Sequence, residues 1–173
     1  MSASFSQMKI NSDEFNWKNE QGLLTYNNLP AIIIWDQALE ILMMSIEEIA
    51  GEEKTTKILK TFGKRLGYMV SQSYSGRTDL DNVLIEFGDL YRNAGWGSVK
   101  ITTFSKAEKR IILEIHHSWE EVVFKAKKHE SIFFPTFWVS LIQYLLNEEM
   151  DYSISKKSVN GNEFDEIQMF NKD

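Results

Sequence analysis

The side chains that could do chemistry here are three histidines, a surplus of carboxylates and scattered serines, in a chain without cysteine. His116 and His117 are adjacent, which on a strand points them to opposite faces, so they do not easily share one metal ion. Glu120, Glu121 and His129 lie near them in sequence, yet no His-Glu-x-x-His or comparable ligand spacing exists. A structural or surface role is therefore expected for these histidines. Ser71, Ser73 and Ser75 occupy a polar stretch without the Gly-x-Ser-x-Gly elbow that raises a nucleophile. The lack of cysteine removes disulfides, thiolate metal sites and thiol nucleophiles. Gly63 and Gly67 fall inside a helical pattern, so they read as a packing contact and not as a phosphate loop. Gly95-Trp96-Gly97 is too short and wrongly placed for a dinucleotide fingerprint, and Lys125, Lys127 and Lys128 read as a solvated face. No catalytic set assembles. The expectation is a non-enzyme with neither cofactor nor metal.

What remains is aromatic. Phe, Trp and Tyr make up 13% of the chain, with five tryptophans, which suggests a large or ligand-lined interior. Trp119, Phe133, Phe134, Phe137, Trp138 and Tyr144 crowd around one segment. Spacing alone favours a packed core over a pocket. A pocket would also need convergent polar groups among the apolar walls, which Tyr91, His116 or His117, Trp119 and Tyr144 could supply.

The element that must position these residues is Ser131 to Glu148, the longest strongly apolar run. Its polar residues Thr136, Ser140, Gln143 and Asn147 recur at steps of four, three and four, one narrow stripe on a helix. A helix apolar over the rest of its circumference belongs in a core or a membrane. Pro135 suits its first turn, leaving about a dozen helical residues against the roughly 20 that cross a bilayer. We expect a central core helix and no membrane span.

Around it, Met1 to Asp13 reads as a disordered tail and residues 14–173 as a single domain. Phe15 to Trp17 and Leu23 to Tyr26 suggest a weak hairpin. Ile32-Ile33-Ile34 leads to Asp36, a candidate N-cap, and Leu39, Leu42, Met43, Ile46 and Ile49 follow at helical spacing up to Gly51. A second helix has the stripe Ile58, Leu59, Phe62, Leu66, Met69 and Val70. Gly63 and Gly67 lie beside that stripe, where another backbone or side chain is expected to pack closely. A third helix, capped by Thr78, carries Leu80, Val83, Leu84, Phe87, Leu90 and Tyr91. Val99, Ile101 and Thr103, then Ile111, Leu113 and Ile115, alternate as an antiparallel hairpin. Ser118 to Lys128 is amphipathic, and Asn160-Gly161 marks a closing two-residue hairpin turn. Helices segregated from antiparallel hairpins make the fold class α+β, with a helical layer around the central helix. The net charge of −6 argues against a nucleic-acid surface. No apolar leader is visible near Met1, and a cytoplasmic location is expected.

These features together resemble the 4-vinyl-reductase domain family and the related sensory domains of XylR-, DmpR- and PoxR-like activators. Gly22-Leu23-Leu24-Thr25 and Ile32-Ile33-Ile34 resemble the opening strand pair. Residues 39–51 followed by Ile58 to Gly67 resemble a helix with a Gly-x-x-x-Gly ending. Gly95-Trp96-Gly97 stands before the hairpin, His117-Ser118-Trp119-Glu120-Glu121 is similar to a Ser-Trp-Glu-Ala segment, and Pro135-Thr136-Phe137-Trp138 resembles the start of the long apolar helix. The resemblance implies a fold shared with NO-signalling domains and Golgi trafficking-complex subunits. It departs at the family's closing cysteine motif, where Lys157 and Asp165 stand in the cysteine places, so thiolate zinc ligation is excluded.

By position, Tyr91 (or Arg92) and Trp119 correspond to residues that meet the ligand in phenol-sensing relatives. The implied ligand-binding set is Tyr91, Trp119, Phe133, Phe137, Trp138, Leu141 and Tyr144. The implied function is a sensory domain for a small apolar or aromatic molecule, signalling to an output module or partner protein, in transcription regulation among the relatives. A homodimer is expected, with the Leu39/Leu42/Met43/Ile46 face as candidate interface. The alternative is a non-enzymatic scaffold of the same fold.

Overall fold

A computed structural model describes residues 7–10, 13–18, 21–105, 108, 110–124 and 131–171. The apolar run folds as a helix, α5 (Phe133–Leu146), and each member of its polar stripe has a structural task. Thr136 Oγ1 donates to the Ile132 carbonyl (2.7 Å), and Gln143 Nε2 donates to the Met150 carbonyl (2.6 Å). Asn147 takes a left-handed φ of 54° and ends the helix. Ser140 Oγ donates to the Lys64 carbonyl across a helix interface (2.8 Å).

That interface is with α2 (Glu52–Ser73). A Cβ placed on Gly63 would lie 2.6 Å from the Phe133 carbonyl oxygen, and one on Gly67 would lie 2.5 Å from that of Phe137. The two backbones touch where the glycines lack side chains, as the Gly-x-x-x-Gly spacing leads one to expect. This approach corrects part of the expected buried stripe, of which Leu59 is buried and Leu66 and Val70 pack partly on the core. The buried residues of α2 are Thr55, Leu59, Gly63, Gly67 and Ser71, a row of mostly small residues at four-residue steps. Ile58, Phe62 and Met69 flank the seam and remain largely exposed, because close helix contact leaves room only for small side chains in the middle.

On another side α5 packs on a four-stranded antiparallel sheet. It consists of β5 (Ser98–Ser105), β6 (Arg110–His116), β7 (Met150–Val159) and β8 (Asn162–Asn171), in the order β5-β6-β8-β7. Ile111, Leu113 and Ile115 of β6 alternate inward, paired in register with Met169, Ile167 and Asp165 of β8. The β7–β8 turn is Asn160-Gly161, both at positive φ, as the short turn of a right-twisted hairpin requires. Helix α3 (Leu80–Asn93) supplies Val83, Leu84, Phe87 and Tyr91 to the core. Its cap position is Asp79 and not Thr78, and the Asp79 carboxylate is taken by Arg77 (2.6 Å) instead of capping the helix. A short helix α4 (Trp119–Phe124) precedes α5.

A second antiparallel sheet opens the chain: β1 (Gln7–Ile10), β2 (Asp13–Lys18), β3 (Leu23–Tyr26) and β4 (Leu29–Ala31). The expected β2–β3 hairpin is present. Gln7–Ile10, expected to be part of a tail, instead pairs with β2. Asp13 ties this sheet to the end of α3 by accepting from Asn93 Nδ2 (2.7 Å) and Asn27 Nδ2 (2.9 Å).

The Ile32-Ile33-Ile34 run joins no strand and is exposed, Ile32 at 86%. Helix α1 (Asp36–Ala50) follows, with Trp35 at the cap position. Asp36 is the first helical residue, and its carboxylate accepts the neighbouring Gln37 N–H. Only Met43 of α1 is buried; Leu39 and Ile46 pack partly on the core, whereas Ile41, Leu42, Met44 and Ile49 are exposed.

The glycine contact yields a direct test. Gly63→Ala or Gly67→Ala must push α2 and α5 apart and should destabilise the protein by about 3 kcal/mol or more. Gly88, inside α3 with open space around its Cβ position, serves as the control. Gly88→Ala should stabilise by up to about 1 kcal/mol through helix propensity, as read by urea denaturation.

Candidate functional site

The first half of α5 places Phe133, Phe134, Phe137 and Trp138 in the core, every one of them fully buried. Helix α3 presents Phe87 and Tyr91 to the same volume, and Trp96 reaches it from the turn after α3. The rings meet edge-on or tilted: Phe87 to Trp138 at 5.3 Å, Tyr91 to Phe134 at 5.3 Å and Tyr91 to Trp138 at 5.6 Å between centroids. Such pairs add about 1 kcal/mol each beyond burial. Trp119, half-buried at the start of α4, closes one side, with its ring 5.4 Å from both Phe133 and Phe134.

Two polar atoms are enclosed in this cluster. The Tyr91 hydroxyl and the Trp138 indole N–H are buried, and neither has a hydrogen-bond partner among the described residues. Tyr91 is 1% exposed and Trp138 fully buried. Burial pushes the Tyr91 phenol well above its ordinary value, and the Glu120 carboxylate adds to that. The Trp138 N–H acts in the opposite sense. The indole N–H is thus a neighbour of the phenol oxygen without forming a hydrogen bond to it. A buried polar group left unpaired costs about 1–3 kcal/mol.

Of the residues expected to bind a ligand, Tyr91, Trp119, Phe133, Phe137 and Trp138 come together. Leu141 is fully buried one turn further along α5, with its backbone against Gly67. Tyr144 does not join them: it is 47% exposed and packs on Tyr68 of α2, because its position on α5 faces the outer edge of the glycine seam. Phe87 and Trp96 are members that sequence reasoning missed. The four-residue step from Phe87 to Tyr91 was the available signal for the first.

Glu120, which the sequence offers as a neighbour of the histidines and within the Ser-Trp-Glu segment, has a structural and central role. It is 1% exposed. Its Oε1 accepts the N–H groups of Ile132 (2.7 Å) and Phe133 (2.8 Å), and its Oε2 accepts that of Phe134 (3.2 Å). A carboxylate from α4 thus caps the N-terminus of α5, where the helix dipole favours negative charge. Burial nevertheless pushes its pKa up to about 7, against the three N–H groups, with Asp165 nearby adding to the rise. Asp165 itself accepts the Ser131 hydroxyl.

His116 ends β6 and His117 lies just past it, so the expected placement on opposite faces of one strand does not arise, and their ring centroids are 6.4 Å apart. His116 stacks on Phe164 at 4.8 Å, and His117 turns outward at a φ of 54°. His129 and Lys125 to Lys128 lie outside the described residues. Among the described residues no three His, Asp or Glu side chains converge as metal ligands, and no helix is long and apolar enough to cross a membrane.

A cavity of about 260 Å³ opens at the far end of α5, lined by Leu80, Phe104, Ser105, Ile111, Leu145, Leu146, Glu148 and Met150.

No protein-family model matches this chain, and no curated protein sequence matches it. Solved structures do. The crystal structure of the phenol-responsive sensory domain of the transcription activator PoxR with phenol superposes with a TM-score of 0.67, at 14% identity, over 90% of this chain and 84% of that one. This chain has the fold of the PoxR sensory domain. An H-NOX mutant labelled Cs, carrying 4-cyano-L-phenylalanine, superposes at 0.57 and 14% identity, over 83% of this chain and 77% of its own. The I5F mutant of T. Tengcongensis H-NOX gives the same TM-score of 0.57 and identity of 14%, over 83% and 78%. The α+β expectation holds, and so does the likeness to a PoxR-type sensor at the level of fold.

The Glu120 cap is testable by stability. Glu120→Ala leaves three N–H groups without their acceptor and should cost about 3 kcal/mol, a fall in Tm of roughly 10 °C for a chain of this size. Because Glu120 titrates near 7 when folded and near 4.5 otherwise, its contribution to stability is full below pH 4.5 and is lost as pH rises through 7. The unfolding free energy of the wild type relative to Glu120→Gln should therefore fall between those values, by at most about 1.4 kcal/mol per pH unit.

Proposed function

We propose that this chain is a sensory domain that binds a small apolar or aromatic molecule and reports it to an output module or a partner protein. The observation that carries this reading is the pair of buried, unpaired donors on Tyr91 and Trp138 within aromatic walls. Apolar walls with a few convergent polar groups are how proteins orient small ligands. An acceptor atom on the ligand satisfies both donors, and the rings supply about 25 cal/mol per Å² of apolar area removed from water. Fold alone does not assign function, but a fold shared with a phenol-responsive domain supports it. No step of this reading requires catalysis, and the chain acts as a binder and not as an enzyme. Trp119, Phe133 and Phe137 form the walls, and Leu141 backs them.

Phenol added to the protein should quench or shift tryptophan emission saturably. Tyr91→Phe should weaken phenol about fivefold, through loss of roughly 1 kcal/mol of hydrogen bonding. Trp119→Ala should weaken it about tenfold by opening the wall. Emission that does not saturate for phenol or for indole rejects the reading.

We further propose a homodimer. The interface differs from the one expected, since Met43 is buried and Leu39 and Ile46 pack on the core. The free apolar surface is Ile32, Ile33, Ile34 and Trp35 together with Ile41, Leu42, Met44 and Ile49. Clustered exposed apolar side chains of this kind mark interaction surfaces. The same surface favours a second reading, in which it docks a partner protein as a scaffold would. Light scattering at micromolar concentration should give the mass of two chains, and Trp35→Glu should halve it. A monomeric mass in the wild type removes the dimer and leaves the partner surface.

A further inference from the structure

Tyr91 and Trp138 are sealed from solvent, so a ligand that reaches them must pass between side chains. A cavity of about 260 Å³ opens at the C-terminal end of α5, beside Leu80, the first residue of α3. Helices α3 and α5 run antiparallel here and meet in successive layers. Leu80 faces Leu145 and Leu146 at the mouth, and Leu84 and Ile142 form the next layer inward. Phe87 then packs on Trp138, and Tyr91 on Trp138 and Phe134. The Leu84 and Ile142 side chains close this layer, at 3% and 1% exposed. From Leu146 to Trp138 is eight residues, about 12 Å along the helix axis.

We infer that this cavity is the antechamber of the Tyr91/Trp138 site, and that Leu84 and Ile142 are the side chains a ligand displaces to reach it. The inference rests on the binding reading above and adds its route and its size selection. The mouth is apolar on six of its eight sides, with Ser105 and Glu148 contributing the polar atoms. Anions therefore lose their hydration there without compensation, and neutral molecules pass. The volume exceeds the roughly 150 Å³ of an engineered apolar cavity that holds benzene, so a single substituted ring fits in the antechamber before the inner layer opens. Leucine and isoleucine make a suitable gate, since they move by rotamer change alone. The glycine seam holds the α2 side of α5 rigidly, which leaves the α3 side as the one free to open.

Stopped-flow tryptophan fluorescence with phenol as the probe tests this on the full chain. Ile142→Ala and Leu84→Ala should raise the association and dissociation rates together by about tenfold, with little change in Kd, because a gate affects both directions equally. Leu146→Trp, at a partly exposed position that folding tolerates better, should slow both rates by a similar factor. Tyr91→Phe, by contrast, should act on dissociation alone. If Ile142→Ala proves too unstable to study, Ile142→Val should show the same direction at smaller size. Phenol binding with rates unaltered by both Leu146→Trp and the inner-layer variants overturns the route while leaving the binding site intact. A wild-type protein that binds neither phenol nor indole overturns both.

Discussion

The contact of α2 with α5 is the constraint on which the rest depends. Gly63 and Gly67 let two helix backbones touch, and Ser140 adds a hydrogen bond to the Lys64 carbonyl at the crossing. Close packing of this kind is exacting: a single methyl group at either glycine meets a carbonyl oxygen at 2.6 Å or less. It fixes the rotation of α5 about its own axis. With Ser140 and the Phe133, Phe137 and Leu141 backbones turned to α2, Trp138 and Phe134 are turned to α3, and Ile142 to the layer shared with Leu84.

The second constraint is the carboxylate of Glu120 at the head of the same helix. It holds the first turn of α5, the turn that carries Phe133 and Phe134, by three N–H groups at once. Trp119 precedes it by one residue and packs on those two rings. The wall of the aromatic cluster and the cap of its central helix therefore come from adjacent residues. Anything that shifts Trp119 therefore acts on the α5 N-terminus.

The structure contains features of both a binder and an interaction surface. The aromatic cluster has unpaired donors inside it, and the Ile32–Trp35 strap with the outer face of α1 is apolar and exposed. The two are compatible in a sensor, where one site takes the ligand and another passes the result on. Helix α1 also packs on α4, the helix that begins with Trp119.

Much of this was legible from the residues alone. Period-two alternation in Ile111, Leu113 and Ile115, the Asn160-Gly161 turn and the polar stripe of α5 are local patterns, and local patterns predict local structure. The Gly-x-x-x-Gly spacing announced a close approach, though not its partner. What local patterns do not contain is which face of a helix wins when two candidates compete. On α2 the large apolar residues Ile58, Phe62 and Met69 were the obvious core, yet backbone contact at the glycines put a small-residue row inside and left those three at the flanks. On α1 Leu39, Met43 and Ile46 face the core, whereas Leu42 and Ile49 of the same periodic set face outward. Tyr144 was drawn into the ligand set by its nearness in sequence to Trp138, but the rotation imposed on α5 carries it to Tyr68. Glu120 could not have been recognised as a cap, since the three N–H groups it accepts belong to residues more than ten positions away. The sequence by itself determined the four long helices, the three hairpins and their order, but not the outer strands β1 and β4; tertiary packing decided which side chains face one another, because burial depends on the closest approach of backbones distant in the chain.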